Sequence, residues 1–239
     1  MRRGPSDLAG GVRTTNPVQE ALSALPEEIL RLPRLGAYNT HGSLLPKYRG
    51  RAPVNWAVLK GETKTGATLH LMTSKPDAGD IVDQEEVEIG PDDTAIVVQR
   101  RVTQASVQIL ERRLEELKAG TAPRRPQEES AATTFGRRRP EDGRIDWTRS
   151  ALEVHNLVRA VTHPYPGAFT DIFGGKTFLW QTRLPHLGAH DNFPGQIRTE
   201  QGKLYVACGD DRYIQVLSLQ REGGDEMEAG RFLAEAMPK

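Results

Sequence analysis

Only one cysteine occurs in this chain, Cys208. No intramolecular disulfide can form, and a metal site built from thiolates is excluded. Cys208 closes the apolar run Leu204-Tyr205-Val206-Ala207, a setting for a buried, inert thiol rather than a nucleophile. Net charge is lacking too, since Lys plus Arg and Asp plus Glu each total 32. That balance announces neither a nucleic-acid nor a membrane partner. No apolar stretch approaches the roughly 18 residues needed to span a bilayer. Met1-Arg2-Arg3 has no apolar segment behind it, so no signal peptide is expected and the cytoplasm is the expected location.

What is present suits a packed core: 37% hydrophobic and 27% charged residues over 239 positions, room for one large or two small domains. Residues 1–18 carry no periodicity and read as loop or disorder. Residues 19–120 read as α/β. A brief strand over Gly36-Ala37-Tyr38-Asn39 ends at His41-Gly42, and strands are expected at Ala67–Met72 and Ile81–Ile89. Pro91-Asp92-Asp93-Thr94 then opens the clearest helix, with Val98, Val102, Ala105, Ile109, Leu110, Leu114 and Leu117 at helical spacing and Gly120 at its close. Residues 121–145, rich in Pro, Arg, Glu and Thr, read as a linker. From residue 146 to 239 a second unit is expected. Ser150 caps a helix with Leu152, Leu157, Val158 and Val161 on one side. Short apolar runs at Ala168–Phe173, Thr177–Trp180, Leu204–Cys208 and Tyr213–Leu219 follow, and their spacing argues a small antiparallel β-barrel of OB-like type.

Asn39 and His41 are separated by one residue, so on a strand end both side chains leave the same face. In an open α/β sheet ligands bind beyond the carboxyl ends of strands, and an amide and an imidazole would be presented there. In isolation, Asn-x-His favours a plainer reading, with His41 capping the turn and Asn39 bonding the backbone. Its surroundings argue otherwise: Ser43-Leu44-Leu45-Pro46-Lys47-Tyr48-Arg49-Gly50-Arg51 is too irregular for a helix or strand, and Asp77 sits on a loop after Leu69-His70-Leu71-Met72, free to approach the imidazole. His70, mid-strand between apolar neighbours, is set aside as a metal ligand, and no metal is expected.

Asn-x-His-Gly-Ser-Leu-Leu-Pro-x-Tyr-Arg-Gly, then Thr-Gly-x-Thr, then Asp-x-Gly-Asp-Ile resembles the 10-formyltetrahydrofolate-dependent formyltransferases, from about Leu25 to the C-terminus. The resemblance implies a Rossmann-like catalytic domain followed by the barrel. It implies a catalytic trio of Asn39, His41 and Asp77, with formyl-folate contacts from Ser43, Leu44, Leu45, Pro46, Arg51, Thr73, Ser74, Lys75 and Pro76. The chemistry suits those residue types. An amine attacks the formyl carbon, Asn39 can donate to the developing oxyanion, a contact often worth about 3 kcal/mol, and His41 can move a proton to the departing folate nitrogen. Asp77 can help take the proton from the attacking ammonium.

For the acceptor, Phe135-Gly136-Arg137-Arg138, Val154–Val161 and Pro164-x-Pro166-Gly167 resemble the formyltransferase acting on UDP-4-amino-4-deoxy-L-arabinose, whose product supports lipid A modification. Arg137 and Arg138 would suit its pyrophosphate, because guanidinium pairs bidentately with phosphate oxygens. Asp146-Trp147 and other elements are shared with methionyl-tRNA formyltransferase, which stays open as the alternative, with tRNA as partner. The mixed acids and bases from Trp147 onward argue mildly against it. A third reading is a truncated, non-catalytic fragment or binding pseudoenzyme. A parallel sheet needs roughly 30 residues for each βαβ unit, yet the trio's strand arrives by residue 39. The N-terminal part of the catalytic domain is therefore expected to be missing, with weak folate binding and self-association through the exposed sheet edge.

Overall fold

A computed structural model describes residues 26–188 and 192–236. The expected loop at residues 1–18 lies outside them.

After a short helix α1 (Glu27–Leu30), strand β1 (Tyr38–His41) leads through the Ser43–Tyr48 turn to β2 (Arg49–Gly50) and helix α2 (Pro53–Leu59). The hairpin of β3 (Lys64–Leu71) and β4 (Ile81–Glu88) completes a three-stranded sheet in the order β1-β3-β4. Every pair in it is antiparallel, so this sheet contains no parallel βαβ unit. Helix α3 (Ala95–Ala119) covers one face, burying Ala95, Val98, Val102, Ala105 and Ile109 in one core with Ala67, Leu69, Val87 and Ile89. Gly120 ends it at φ +70°, the left-handed C-terminal cap that glycine adopts without a Cβ penalty. Leu110 and Leu114, expected on the buried stripe, remain exposed, because each sits one position past the face centred on Ile109.

The expected linker is more tightly held than its composition suggests. Residues 121–145 return across the first unit: Arg125 exchanges two backbone hydrogen bonds with Ile81. Thr134–Phe135 forms β5, paired in parallel with β2. Polar, Pro-rich sequence here serves specific hydrogen bonds rather than freedom.

Helix α4 (Ala151–Val161) begins at Ser150, whose hydroxyl accepts from Glu153 N–H while the Glu153 carboxylate returns to Ser150 N–H. This capping box satisfies two orphan donors at once. Of the face expected, Val158 and Val161 are buried, Leu157 is half-buried and Leu152 is exposed, while Val154 is buried as well. The helix carries buried polar side chains toward the first unit. Arg159 donates to the carbonyls of Gly90 (3.4 Å) and Asp93 (3.0 Å), His155 Nε2 lies 3.2 Å from the Pro91 carbonyl, and Asn55 of α2 donates to the Ala160 carbonyl at 2.8 Å.

Beyond α4 lie β6 (Ala168–Thr170), β7 (Thr177–Arg183), β8 (Ile197–Glu200), β9 (Lys203–Ala207), β10 (Tyr213–Arg221), β11 (Glu226–Glu228) and helix α5 (Ala229–Ala236). The strands run β6-β7-β10-β9-β8, with β11 on β10, all antiparallel. The antiparallel unit is as expected, but among the described residues no pairing joins β6 to β8, so the sheet stays open. Cys208 is buried, and burial pushes its thiol up to about 12.

Candidate active site

The Tyr38–His41 strand projects Asn39 and His41 to one face and pairs antiparallel with β3, so Asn39 stands opposite His70 and His41 opposite Thr68. Directly opposed residues in such a pair share a face and come within contact distance. Asn39 Nδ2 lies 3.4 Å from His70 Nε2. His70 is 2% exposed, and its Nδ1 lies 2.9 Å from the Leu71 carbonyl. A carbonyl can only accept, so Nδ1 carries the proton and Nε2 keeps a lone pair for the Asn39 amide. Burial pulls the His70 imidazole below its ordinary value, the Leu71 carbonyl and Asp77 acting weakly against it. His70 is a neutral acceptor that fixes which end of the Asn39 amide faces inward.

His41 is 7% exposed. Its Nε2 lies 2.8 Å from the Tyr48 carbonyl, which assigns that nitrogen as a donor and leaves Nδ1 facing Asp77 Oδ1 at 3.5 Å. The same carboxylate oxygen is 3.7 Å from His70 Nε2. Asp77 Oδ2 accepts from Gly50 N–H at 2.9 Å. Asp77 itself sits at φ +52° on the loop that returns β3 to β4, a conformation non-glycine residues rarely hold without local support. Gly50, at φ +97°, is required there as glycine: a Cβ would lie 2.3 Å from the Phe135 carbonyl oxygen. The close approach of β5 thus lets the Gly50 N–H reach Asp77.

Asn39, His41 and Asp77, named from the sequence by different signals, are therefore brought together through His70: His41 and His70 both face the Asp77 carboxylate, and Asn39 meets His70. Sequence reasoning set His70 aside, although an antiparallel pairing of two strands carrying Asn39 and His70 at matched register would have found it. Among the described residues no group of three or more His, Cys, Asp or Glu could hold a metal ion.

The residues expected around a folate divide. Ser43 and Leu45 are buried, with the Ser43 hydroxyl donating to the Lys47 carbonyl and Leu45 N–H to Thr68 Oγ1. Leu44 packs beside Gly66, and Leu44 and Pro46 are half-buried. These side chains build the turn after β1; Ser43 and Leu45 have no surface to offer a ligand. Thr73, Ser74, Lys75 and Pro76 are exposed on the loop before Asp77, and Lys75 pairs with Glu129. Arg51, also exposed, follows Gly50 directly. Arg137 and Arg138 follow β5, whose Phe135 pairs with Gly50. Arg137 is exposed, while Arg138 stacks 4.9 Å above the Trp56 ring and donates to the Asp142 carbonyl. A separate groove of about 360 Å³, lined among others by Leu30, Arg34, Leu35, Met72 and Arg124, contains none of the trio.

The described chain is thus an N-terminal α/β unit carrying Asn39, His41 and Asp77, joined to a C-terminal β unit. HypX from Aquifex aeolicus in complex with tetrahydrofolic acid superposes with a TM-score of 0.65 at 21% identity, covering 84% of this chain and 35% of that one. The N-formyltransferase from Helicobacter canadensis, in complex with folinic acid and dTDP-3-aminofucose, gives 0.61 at 21% identity, covering 75% and 65%. WlaRD, a sugar 3N-formyl transferase in the presence of dTDP and 5-N-formyl-THF, gives 0.58 at 19%, covering 75% and 64%. This chain thus spans about a third of HypX and somewhat under two thirds of the two sugar enzymes. A profile described as "Formyl transferase" matches residues 18–114 and one described as "Formyl transferase, C-terminal domain" matches residues 137–236, so the chain belongs to the formyl transferase family.

Proposed function

We propose that this protein transfers a formyl group from 10-formyltetrahydrofolate to the primary amine of an amino-sugar nucleotide of the UDP-4-amino-4-deoxy-L-arabinose kind. The observation that carries the reading is the cluster in which His41 and His70 both face Asp77 and Asn39 meets His70.

The acceptor nitrogen attacks the formyl carbon, a C–N bond forms, and the carbonyl oxygen becomes an oxyanion. Asn39 gives one amide N–H to His70 and offers the other to that oxyanion, a contact worth about 3 kcal/mol in comparable sites. The bond between the formyl carbon and the folate nitrogen then breaks. The attacking ammonium must lose a proton and the leaving nitrogen must gain one. Asp77 accepts the first, and His41 Nδ1, its Nε2 already tied to the Tyr48 carbonyl, is the ring nitrogen left for proton exchange. The tetrahydrofolate supplies the formyl group as co-substrate. Residues 73–76 and Arg51 remain the surface available to hold it, with Ser43 to Pro46 acting through the turn they build.

Arg137 is the proposed contact for the diphosphate, next to the β2–β5 pair that supports Asp77. The Helicobacter canadensis enzyme, crystallised with a nucleotide-linked amino sugar, supports this acceptor class over tRNA. Formyl transfer should be measured with a UDP-amino sugar and, separately, with methionyl-tRNA. Formamide product on the sugar alone is expected. Product on tRNA alone would replace the acceptor, and no product on either would favour the non-catalytic reading.

A further inference from the structure

The Asp77 loop has a support that lies outside the trio and outside both family motifs. Gln127, in the stretch that returns across the first unit, places its carboxamide against the loop's backbone. Its Nε2 donates to the Asp77 carbonyl at 2.9 Å and to the Gly79 carbonyl at 2.7 Å. Its Oε1 accepts from Arg49 Nε at 3.1 Å and Nη2 at 2.7 Å. Both donors and both lone pairs of the amide are used, the full capacity of the group.

Arg49 is 4% exposed, and its guanidinium is completed by Glu129, which also binds Lys75 from the exposed part of the same loop. Arg49 and Lys75, in that order, hold the Glu129 carboxyl down to about 2. The segment containing Gln127 is pinned on either side, by the Arg125–Ile81 pair before it and by Thr133 N–H on the Pro46 carbonyl after it. The carbonyls of Asp77, a residue held in the left-handed region, and of Gly79 two positions on are thus fixed from one rigid point.

We infer that Gln127 is a positioning residue that fixes the direction of the Asp77 carboxylate toward His41, a role in catalysis that rests on the function proposed above. Gln127 touches no reacting atom. It acts through the peptide plane that follows Asp77 and the one that follows Gly79. Without it, the loop is free to turn Asp77 away, and the Gly50 N–H loses its acceptor.

The test uses the full chain and three variants, Gln127→Met, Gln127→Glu and Asp77→Ala. Met keeps the length and removes every hydrogen bond. Glu keeps an acceptor for Arg49 and removes both donors. Hydrogen exchange at the Gly50 amide is read by NMR, with Val206 and Ile214 in the distant sheet as references. Both Gln127 variants should accelerate Gly50 exchange toward the Asp77→Ala rate and leave the references at parent rates. In formyl transfer, kcat should fall about 100-fold, the scale of a 1 Å misplacement, while KM for the formyl donor stays put. Unchanged Gly50 exchange overturns the inference. So does equal acceleration at the reference amides, or a Gln127→Glu variant that matches the parent, since either makes Gln127 a packing residue. Faster Gly50 exchange in the Gln127 variants, with a parent that transfers no formyl group, would overturn the proposed function and leave the positioning standing.

Discussion

Replacing His70 by Leu isolates the amide-orienting contact. The side chain is 2% exposed and opposite Asn39. Leucine has similar bulk and suits a buried strand position, but it strips the acceptor from Asn39 and the donor from the Leu71 carbonyl. Two hydrogen bonds are lost, each worth about 1 kcal/mol net, partly offset by the apolar burial of the leucine. The expected loss of stability is about 1–2 kcal/mol, a few degrees in Tm for a domain of this size. The catalytic cost is separate. If His70 no longer holds one amide hydrogen, Asn39 can present its oxygen to the oxyanion, and a donor contact of about 3 kcal/mol is lost, a 10²–10³-fold fall in kcat. Steady-state formyl transfer at a temperature well below Tm keeps the two effects apart. The decisive comparison is a double-mutant cycle with Asn39→Ala. Because His70 acts through Asn39, His70→Leu should cost little further in the Asn39→Ala background. Additive losses, or a His70→Leu enzyme with parental kcat, would refute the reasoning.

Further expectations follow from the same geometry. Asp77→Asn keeps an acceptor for Gly50 N–H but removes the charge facing His41, so kcat should fall about 10²-fold or more with folding intact; a circular-dichroism melt and a rate assay check it. Gly50→Ala places a methyl 2.3 Å from the Phe135 oxygen at φ +97°, and should destabilise by more than about 2 kcal/mol in urea titration. Burial lowers the pKa of both His70 and His155. The unfolded chain then binds more protons than the folded one just below the ordinary histidine value. Stability is therefore fully present above that value and lost as pH falls toward the depressed ones, with a slope of up to about 1.4 kcal/mol per pH unit for each ring. Tm measured from pH 7.5 to 5 should drop, and His155→Gln should flatten the drop. If tRNA were the acceptor, activity would fall steeply with added salt; a sugar nucleotide should show a shallow dependence.

Several features were legible in the sequence for identifiable reasons. Helix α3 announced itself by apolar period and Gly120, and helix α4 by the Ser150 cap. Asn39 and His41 were visible through their two-residue spacing. What stayed hidden depends on partners far apart in the chain. His70 looked like a strand residue among apolar neighbours, and only its register with Asn39, 31 positions away, gives it a task. Gln127 sat in a stretch whose composition signals looseness, and its bonds reach back 48 and 50 positions. Periodicity senses which face is apolar. It is blind to a carboxamide whose value lies in two distant carbonyls. His155 and Arg159 were invisible for a related reason: on an otherwise apolar helix face, nothing in the local pattern says that backbone carbonyls wait opposite.

That seam between α4 and the first unit constrains how the protein can be divided. Arg159 is 6% exposed and satisfied by carbonyls from residues 90 and 93. Cutting the chain near residue 130 to obtain the C-terminal unit alone would bare the packed face of α4 to water and take away the two carbonyls that Arg159 bonds. The matching piece would keep Asn55 with no Ala160 carbonyl to meet. Two halves that look separable by sequence are physically one object, and a workable dissection would first have to rewrite the helix that joins them.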